Sequence, residues 1–171
     1  GCDLVTHLYS CTSTVTRKNG FRVLGVIEAA YLSDELNVEI ICDGKHLPPE
    51  LIKLIYKIKG ADKIALVTDS LSITGSAQAH GFLQGTEFIV EDGVCKLADR
   101  SAFAGSIATA DTLLKVAVNE ASIPLLDAVK MITQTPAKIM KLYNKGKLAC
   151  GMDADIVVFD EDIRVEKVFA K

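Results

Sequence analysis

Short apolar runs in the first seventy residues each lead to a side chain that can do chemistry. The runs are residues 4–6, 38–42 and 64–68, and the side chains that follow them are His7, then Asp43 and His46, then Asp69. Parallel strands are short apolar runs, and the pocket of an α/β fold lies at their carboxyl ends. Imidazoles and a carboxylate at one edge of a sheet are the groups that metal-assisted hydrolysis uses. The spacing therefore predicts a hydrolytic site, with a metal ion as the expected cofactor.

Each of these side chains also has a purely structural interpretation. His7 is either a ligand for a borderline divalent metal such as zinc or a hydrogen-bonded core histidine. His46 either hydrogen-bonds a substrate carbonyl or phosphate, or it ends a surface loop after Gly44. Asp69 is either a general base or a residue that caps the turn after it. The three together are more specific than any one of them.

Other residues near these strand ends could contact a substrate. Arg17 and Lys18 form a basic pair in the polar segment 10–20, where they would steer an anion or remain solvated. Ala104-Gly105-Ser106 leads into a predicted helix and would offer backbone donors. Cys11 is expected to pack as a small apolar side chain.

The elements that position these residues alternate between strand and helix. Helices are predicted over residues 24–32 and 48–59, with Pro48-Pro49 opening the second, and this alternation predicts right-handed βαβ units and a parallel sheet. Residues 81–97 read as two strands that turn at Asp92-Gly93 and leave the main sheet. Residues 10–20 are predicted to be a loop.

The second half is predicted to be helical and then extended. One helix is expected over residues 109–120, a second begins at Pro124, and a third takes Thr135 as its N-cap and Pro136 as its first residue. Strands are predicted over residues 154–159 and 165–169.

The composition restricts the partners. The 171 residues are 49% hydrophobic and carry a net charge of −3, without a basic stripe, so nucleic acid is not an expected partner. The apolar stretches are short and interrupted by charge, which predicts no membrane span. Five widely spaced cysteines without a CxxC pair predict neither a zinc ribbon nor a disulfide framework, and they favour the cytoplasm. Because the chain enters a strand at once, we expect it to be part of a longer polypeptide.

With these positions in hand, the chain resembles the N-acetylglucosamine-6-phosphate deacetylase family of the amidohydrolase superfamily from about Thr6 to its end. The resemblance rests on the order and spacing of seven motifs: Thr6-His7-Leu8-Tyr9, Gly25-Val26-Ile27-Glu28-Ala29, Asp43-Gly44-x-His46, Leu66-Val67-Thr68-Asp69, Ala104-Gly105-Ser106, Thr135-x-Ala137 and Gly151-Met152-Asp153-Ala154-Asp155.

The resemblance implies the C-terminal part of a (β/α)8 barrel with a small β-sandwich built from both chain ends. Strands six to eight of the barrel would end at His7, His46 and Asp69. Residues 1–142 would be the partial barrel with a hairpin insertion near 81–98, and residues 143–171 would be strands of the sandwich. A barrel of this kind needs about 250 residues. The isolated chain is therefore expected neither to bind the metal tightly nor to turn over.

The same resemblance implies site roles. His7 corresponds to one histidine of a metal site for zinc or iron, and Asp69 to the catalytic acid and base. A glutamate and another histidine of that metal site would lie upstream of this chain. The implied substrate contacts are Ser10, Cys11, Arg17, Asp43, Gly44, Lys45, His46, Phe103, Ala104 and Gly105.

The implied reaction is release of acetate from N-acetylglucosamine 6-phosphate in a homodimeric full-length enzyme. Ser10-Cys11 stand where the family usually has Asn-Ala, and Lys18 is an alternative to Arg17 as the phosphate ligand. Two other functions stay open: another amidohydrolase, such as a cyclic-amide hydrolase or a deaminase, and a non-catalytic module that binds sugar phosphates.

Overall fold

The computed structural model describes residues 2–83 and 85–170, and within them the chain is an α/β structure. Gly1, Gln84 and Lys171, which the predicted domain and hairpin ranges include, lie outside the described residues. The strands are β1 Leu4–Val5, β2 Thr16–Lys18, β3 Phe21–Val23, β4 Asn37–Ile41, β5 Ile64–Val67, β6 His80–Leu83, β7 Thr86–Glu91, β8 Val94–Leu97, β9 Ile156–Phe159 and β10 Val165–Phe169. The α-helices are α1 Val26–Leu32, α2 Pro49–Lys59, α3 Ala110–Lys115, α4 Leu125–Ile132 and α5 Gln134–Ile139.

A three-stranded parallel sheet in the order β1-β4-β5 organises the chain. Val5 lies beside Val38 on β4, and Ile40 lies beside Leu66 on β5. The three strands are those that the apolar runs predict, connected by α1 and α2 as expected for βαβ units. Their carboxyl ends therefore lie along one edge of the sheet.

One face of this sheet packs against the helices. Val38 and Ile40 of β4 and Ile64 and Leu66 of β5 are buried in one hydrophobic cluster with apolar residues of all the helices except α5. Ile41 and Ala65 are also buried but lie outside that cluster, because successive strand residues point to opposite faces. The cluster is the core that fixes the strand ends.

The segment predicted as a loop over residues 10–20 contains half of an antiparallel ribbon, so that prediction is wrong for its second half. β2 pairs with β3, with Arg17 opposite Arg22 and Lys18 opposite Phe21. Asn19 and Gly20 connect the strands with φ of 50° and 85°, the left-handed pair that a two-residue hairpin requires. The sequence carries that signal as Asn-Gly, but the polar composition around it obscures the strands.

The excursion after β5 has three antiparallel strands rather than two, in the order β6-β7-β8. The predicted turn at Asp92-Gly93 is present, with φ of 55° and 72°. The additional strand is β6, whose Gly81 lies beside Phe88 of β7. The expectation of two strands was wrong because it merged β6 and β7 into one.

The helical region differs from prediction at two places. The helix predicted over residues 109–120 has α-helical hydrogen bonding only to Lys115 and continues as a π-helical turn over Val116–Glu120. The N-cap of α5 is Thr133, two residues before the predicted Thr135. Thr135 lies inside the helix instead, where its buried hydroxyl donates to the Ala61 carbonyl at 2.7 Å.

The C-terminal strands β9 and β10 form an antiparallel ribbon. Ile163, in the turn between them, is buried in the main cluster, and Phe159 packs against it. The ribbon is thereby attached to the helical layer. Among the described residues, no helix is both long enough and apolar enough to cross a membrane.

Candidate functional site

The chain after β1 turns sharply in a loop that carries His7, Ser10 and Cys11. His7, Tyr9 and Cys11 have φ of 25°, 77° and 55°, a left-handed backbone that non-glycine residues rarely adopt. Backbone hydrogen bonds hold the turn: Leu8 N–H donates to the Glu39 carbonyl at 2.8 Å, and Ser10 N–H donates to the His7 carbonyl at 2.9 Å. Such strain concentrates at functional sites, where surrounding structure enforces it.

The imidazole of His7 has a buried nitrogen without a partner. Nδ1 of His7 is a fully buried side-chain nitrogen that forms no hydrogen bond within residues 2–83 and 85–170. A buried polar atom in this state costs about 1–3 kcal/mol. His7 is thus a ring whose hydrogen-bonding capacity is not used by the fold of this chain.

The loop after β4 is built around the Asp43 carboxylate. Its Oδ1 accepts the backbone N–H groups of Lys45 and His46, each at 2.9 Å, and its Oδ2 lies 2.8 Å from Nδ1 of His46. Both side chains are 6% exposed. Gly44, between them, has φ of 70°, which a side chain would disfavour.

The charge of Asp43 is stabilised in this position. Burial alone would raise the pKa of the carboxyl, but the hydrogen bonds from the His46 ring and from the N–H groups of His46 and Lys45 outweigh it and lower the pKa. Asp43 is therefore a carboxylate near neutral pH, and its oxygens act as acceptors only.

Phe103 contacts this loop from the antiparallel excursion. Its ring centroid lies 4.8 Å from that of His46, and the ring planes meet at 61°, an edge-on arrangement. Phe103 is 42% exposed, so part of this residue faces solvent. The contact joins residues that are far apart in sequence and forms a wall next to the imidazole.

Asp69 follows β5 at a backbone crossing with residues 105–106. Its φ is 48°, and its carbonyl accepts the Ser106 N–H at 3.0 Å. Leu71 N–H donates in turn to the Ser106 carbonyl at 2.9 Å. Gly105 has φ of 90°, and a Cβ there would lie 2.9 Å from Cδ2 of Leu71. The Asp69 carboxylate is exposed at a backbone position fixed by this crossing.

The structure brings some predicted site residues together and leaves others apart. His7, Asp43 and Asp69 follow three adjacent parallel strands along one edge, as predicted, and Phe103 meets His46 there. Arg17 lies on the exposed β2–β3 ribbon, and the Lys45 side chain is exposed. Neither cation forms an ion pair within the described ranges.

Sequence reasoning missed how these residues are held. Ala104-Gly105-Ser106 was expected to offer backbone donors, but the N–H groups of Ala104 and Ser106 donate to the carbonyls of Cys95 and Asp69. Ser106 is fully buried, and its Oγ accepts the Ala108 N–H at 2.9 Å. The Tyr9 and Tyr31 hydroxyls lie 3.1 Å apart and connect the His7 loop to α1. Only the Asp-x-x-His spacing gave a local signal, for the pair formed by Asp43 and His46.

Comparison with known proteins places the chain in a family. The family model described as "Amidohydrolase family" matches residues 6–171. The chain is 32% identical over 170 residues to an N-acetylgalactosamine-6-phosphate deacetylase of Shewanella sp. (strain ANA-3), covering 99% of this chain and 42% of that protein. It is 33% identical over 163 residues to an N-acetylglucosamine-6-phosphate deacetylase of Lysinibacillus sphaericus, covering 95% of this chain and 41% of that protein.

Solved structures agree with the sequence relatives. The N-acetylglucosamine-6-phosphate deacetylase of Pasteurella multocida superposes with a TM-score of 0.90 at 30% identity, over 99% of this chain and 44% of that one. That of Mycobacterium smegmatis gives 0.89 at 29% identity, over 99% of this chain and 45% of that one. The chain thus spans less than half the length of these relatives. On the family match and these similarities, the chain belongs to the amidohydrolase family.

Proposed function

We propose that this chain is the C-terminal part of a metal-dependent deacetylase that acts on an N-acetylated amino-sugar 6-phosphate. The observation that carries the proposal is the shared edge of β1, β4 and β5, where His7, the Asp43–His46 pair and Asp69 follow adjacent strands. Its relatives named as deacetylases of N-acetylglucosamine 6-phosphate and N-acetylgalactosamine 6-phosphate support the substrate class.

The proposed architecture follows from the same resemblance. β1, β4 and β5 would be strands six to eight of a (β/α)8 barrel within residues 1–142, with β6-β7-β8 as an insertion. Residues 143–171 would supply β9 and β10 to a small sandwich. The parallel order of the three strands and their helical layer support this assignment.

His7 fits the role of a metal ligand, because its buried Nδ1 is without a protein partner. A divalent cation, zinc or iron, would supply Lewis acidity toward the acetamide carbonyl and water at this edge. In the described part of the chain, no three histidine, cysteine, aspartate or glutamate side chains are grouped so that they could hold a metal. We therefore infer that the other ligands belong to a polypeptide region outside this sequence.

Asp69 would act as the acid and base. Its carboxylate would take a proton from the attacking water and later give that proton to the nitrogen that leaves, so that acetate and the free amino sugar are the products. The Ser106 N–H fixes the Asp69 carbonyl, and Gly105 permits the close crossing. This backbone anchoring supports a fixed direction for the carboxylate, which proton transfer requires.

The remaining residues would bind the substrate. Arg17 and Lys45 are exposed cations suited to a phosphate dianion, with Lys18 beside Arg17 on the same ribbon. Ser10 and Cys11 lie in the strained loop after His7 and would contact the phosphate, Ser10 through its hydroxyl, because its N–H already donates to the His7 carbonyl, and Cys11 through its backbone N–H. Gly44 and His46, together with Phe103, Ala104 and Gly105, would line the sugar, and Asp43 would contribute by supporting His46. Function as a homodimer belongs to the same proposal.

The test is acetate release from N-acetylglucosamine 6-phosphate and N-acetylgalactosamine 6-phosphate by the complete gene product that contains this chain. Release that requires a divalent metal and is lost in Asp69→Asn supports the proposal. Asp34→Asn is the matched control, because Asp34 is exposed and forms no hydrogen bond or ion pair in the described ranges. The 171-residue chain alone is expected to be inactive.

Two results would assign a different function. Bound metal without acetate release would indicate another amidohydrolase, which a panel of cyclic amides and deamination substrates would identify. A complete gene product that neither binds metal nor releases acetate but binds the sugar phosphate would be a non-catalytic module.

A further inference from the structure

Both oxygens of the Asp43 carboxylate are engaged by its own loop, and little of the side chain is accessible to a ligand. Oδ1 receives two backbone N–H groups, Oδ2 faces Nδ1 of His46, and the side chain is 6% exposed. The opposite ring nitrogen is in a different state. Nε2 of His46 forms no hydrogen bond to any described residue, and it is not among the fully buried atoms without a partner, so it keeps some accessible surface.

A carboxylate next to Nδ1 determines which imidazole nitrogen carries the proton. An ionised carboxylate is an acceptor only, so a neutral His46 must place its proton on Nδ1 to form the 2.8 Å hydrogen bond. Nε2 is then an unprotonated acceptor. Phe103 restricts the orientation of the ring from the side, since its edge-on contact holds the centroids 4.8 Å apart.

The loop that presents this ring is itself supported. A Cβ on Gly44 would lie 3.5 Å from both Oε2 of Glu120 and Cγ1 of Val116, so the loop rests on the π-helical turn over Val116–Glu120. Turns of this type recur at functional sites. The ring is therefore fixed by a carboxylate, an aromatic side chain and a packed backbone.

We propose that Asp43 is a positioning residue that holds His46 in the Nδ1–H tautomer, so that Nε2 accepts a hydrogen bond from a hydroxyl or acetamide N–H of the bound sugar. The identity of the ligand rests on the proposed function, whereas the tautomer does not. Asp43 acts on the substrate only through His46.

Asp43→Asn is a nearly isosteric variant that should reverse the tautomer of the His46 ring. In Asp43→Asn, the amide oxygen is needed by the two backbone N–H groups, so the NH2 group must face Nδ1 of His46. That nitrogen must then be the acceptor, and the proton moves to Nε2. The neutral ring would present a donor in place of an acceptor while its position is preserved.

The first experiment is a long-range proton–nitrogen correlation spectrum of the complete gene product, nitrogen-15-labelled at its histidines and followed through the titration of His46. The neutral ring is expected to show a protonated Nδ1 and a bare Nε2 in the wild type and in Asp34→Asn, and the reverse in Asp43→Asn. A wild-type ring protonated on Nε2 overturns the proposal. That result decides the question even if Asp43→Asn fails to fold.

The second experiment measures kinetics in the complete gene product. Asp43→Asn is expected to raise KM about tenfold, the effect of one hydrogen bond of about 1.4 kcal/mol, with a smaller change in kcat. In a His46→Gln background, Asp43→Asn should have no further effect on KM, because its effect passes through the ring. An equal loss in both backgrounds refutes the positioning role.

The two proposals can fail separately. If acetate is released but His46 is protonated on Nε2, only this inference fails. If His46 is protonated on Nδ1 but no acetamide is hydrolysed, the tautomer assignment stands and the deacetylase assignment fails.

Discussion

Replacing Gly25 with alanine tests whether the loop that carries the site is held by its close approach to α1. A Cβ at Gly25 would lie 2.4 Å from the carbonyl carbon and oxygen of Ser13 and 2.6 Å from the nitrogen of Thr14. All three are backbone atoms, so no side-chain rotation can relieve the overlap. Gly25 has φ of −103°, which means that the cost arises from contact and not from backbone strain.

The expected loss can be counted from the hydrogen bonds that this approach permits. The Ile27 N–H donates to the Ser13 carbonyl, and the Val26 N–H donates to Ser13 Oγ, both at 3.1 Å. Moving Ser13 away would break both, and at about 1 kcal/mol each the free energy of unfolding falls by about 2 kcal/mol. These N–H groups lie in the first turn of α1, where no helical carbonyl could replace the lost partners.

Urea unfolding of the chain measures this change. With an m-value of about 2 kcal/mol/M, the midpoint of Gly25→Ala should fall by about 1 M. Gly20→Ala is the matched control, since no atom lies within 4 Å of its Cβ position and only its φ of 85° opposes the change. That control should cost about 1 kcal/mol, or about 0.5 M. A midpoint for Gly25→Ala equal to or above that of Gly20→Ala would refute the close-approach argument.

Three further predictions concern stability and reactivity. Thr135→Val should lower the free energy of unfolding by about 1–2 kcal/mol, because it leaves the Ala61 carbonyl without its buried donor, whereas Thr135→Ser should retain most of the stability in the same denaturation assay. The pKa of Asp43 is lower in the folded state, so its ionised carboxylate contributes to the free energy of unfolding in full above its unfolded pKa of about 3.9. This contribution is lost as pH falls through the folded value, and acid titration should therefore destabilise the wild type more steeply than Asp43→Asn. Equal slopes for the two proteins would contradict that reading. Burial raises the pKa of Cys42 to about 12, so a thiol reagent at neutral pH should react slowly with it in the folded chain. The exposed Cys2, Cys11 and Cys150 should be labelled quickly, whereas the buried Cys42 and Cys95 should be labelled only when the chain unfolds.

The order of strands and helices was predictable because its signals are local. The apolar run over residues 64–68 is bounded by Gly60 and Asp69, and it appears as β5 Ile64–Val67. Pro48-Pro49 fixes the start of α2, since proline fits only the first turn of a helix. Gly60, in a positive-φ conformation, ends it. Each of these boundaries depends on a residue whose backbone preference is nearly independent of the rest of the fold.

The differences from prediction arise where tertiary contacts overrule such preferences. Thr135 has an N-cap residue type before a proline, but its hydroxyl finds the Ala61 carbonyl and the helix begins earlier. The π-helical turn after Lys115 has no sequence signal, and its Val116 lies against the Asp43 loop, which is distant in sequence. Neither contact can be read from a window of sequence.

The candidate site shows the same division between what is local and what is not. The position of His7 and Asp69 at strand ends follows from the apolar runs alone, but their backbone conformations, with φ of 25° and 48°, do not. Both are outside the preferred region for residues with a Cβ. The Asp69 carbonyl accepts the Ser106 N–H, and the His7 loop is held to β4 through the neighbouring Leu8 N–H, which donates to the Glu39 carbonyl. Sequence reasoning can therefore say which side chains reach the edge of the sheet, while the direction in which they point depends on the crossings with β4 and with Ser106.

The pairing of Asp43 with His46 lies between these two cases, and it explains why assignment by residue type alone is incomplete. The Asp-x-x-His spacing identifies both residues as ligand candidates, yet both carboxylate oxygens of Asp43 form hydrogen bonds within the loop itself. A buried carboxylate satisfied by its own loop stabilises that loop and determines the proton position of its partner. Of the two polar residues in this motif, His46 is the one in a position to meet a ligand, because its Nε2 is unpaired and not completely buried.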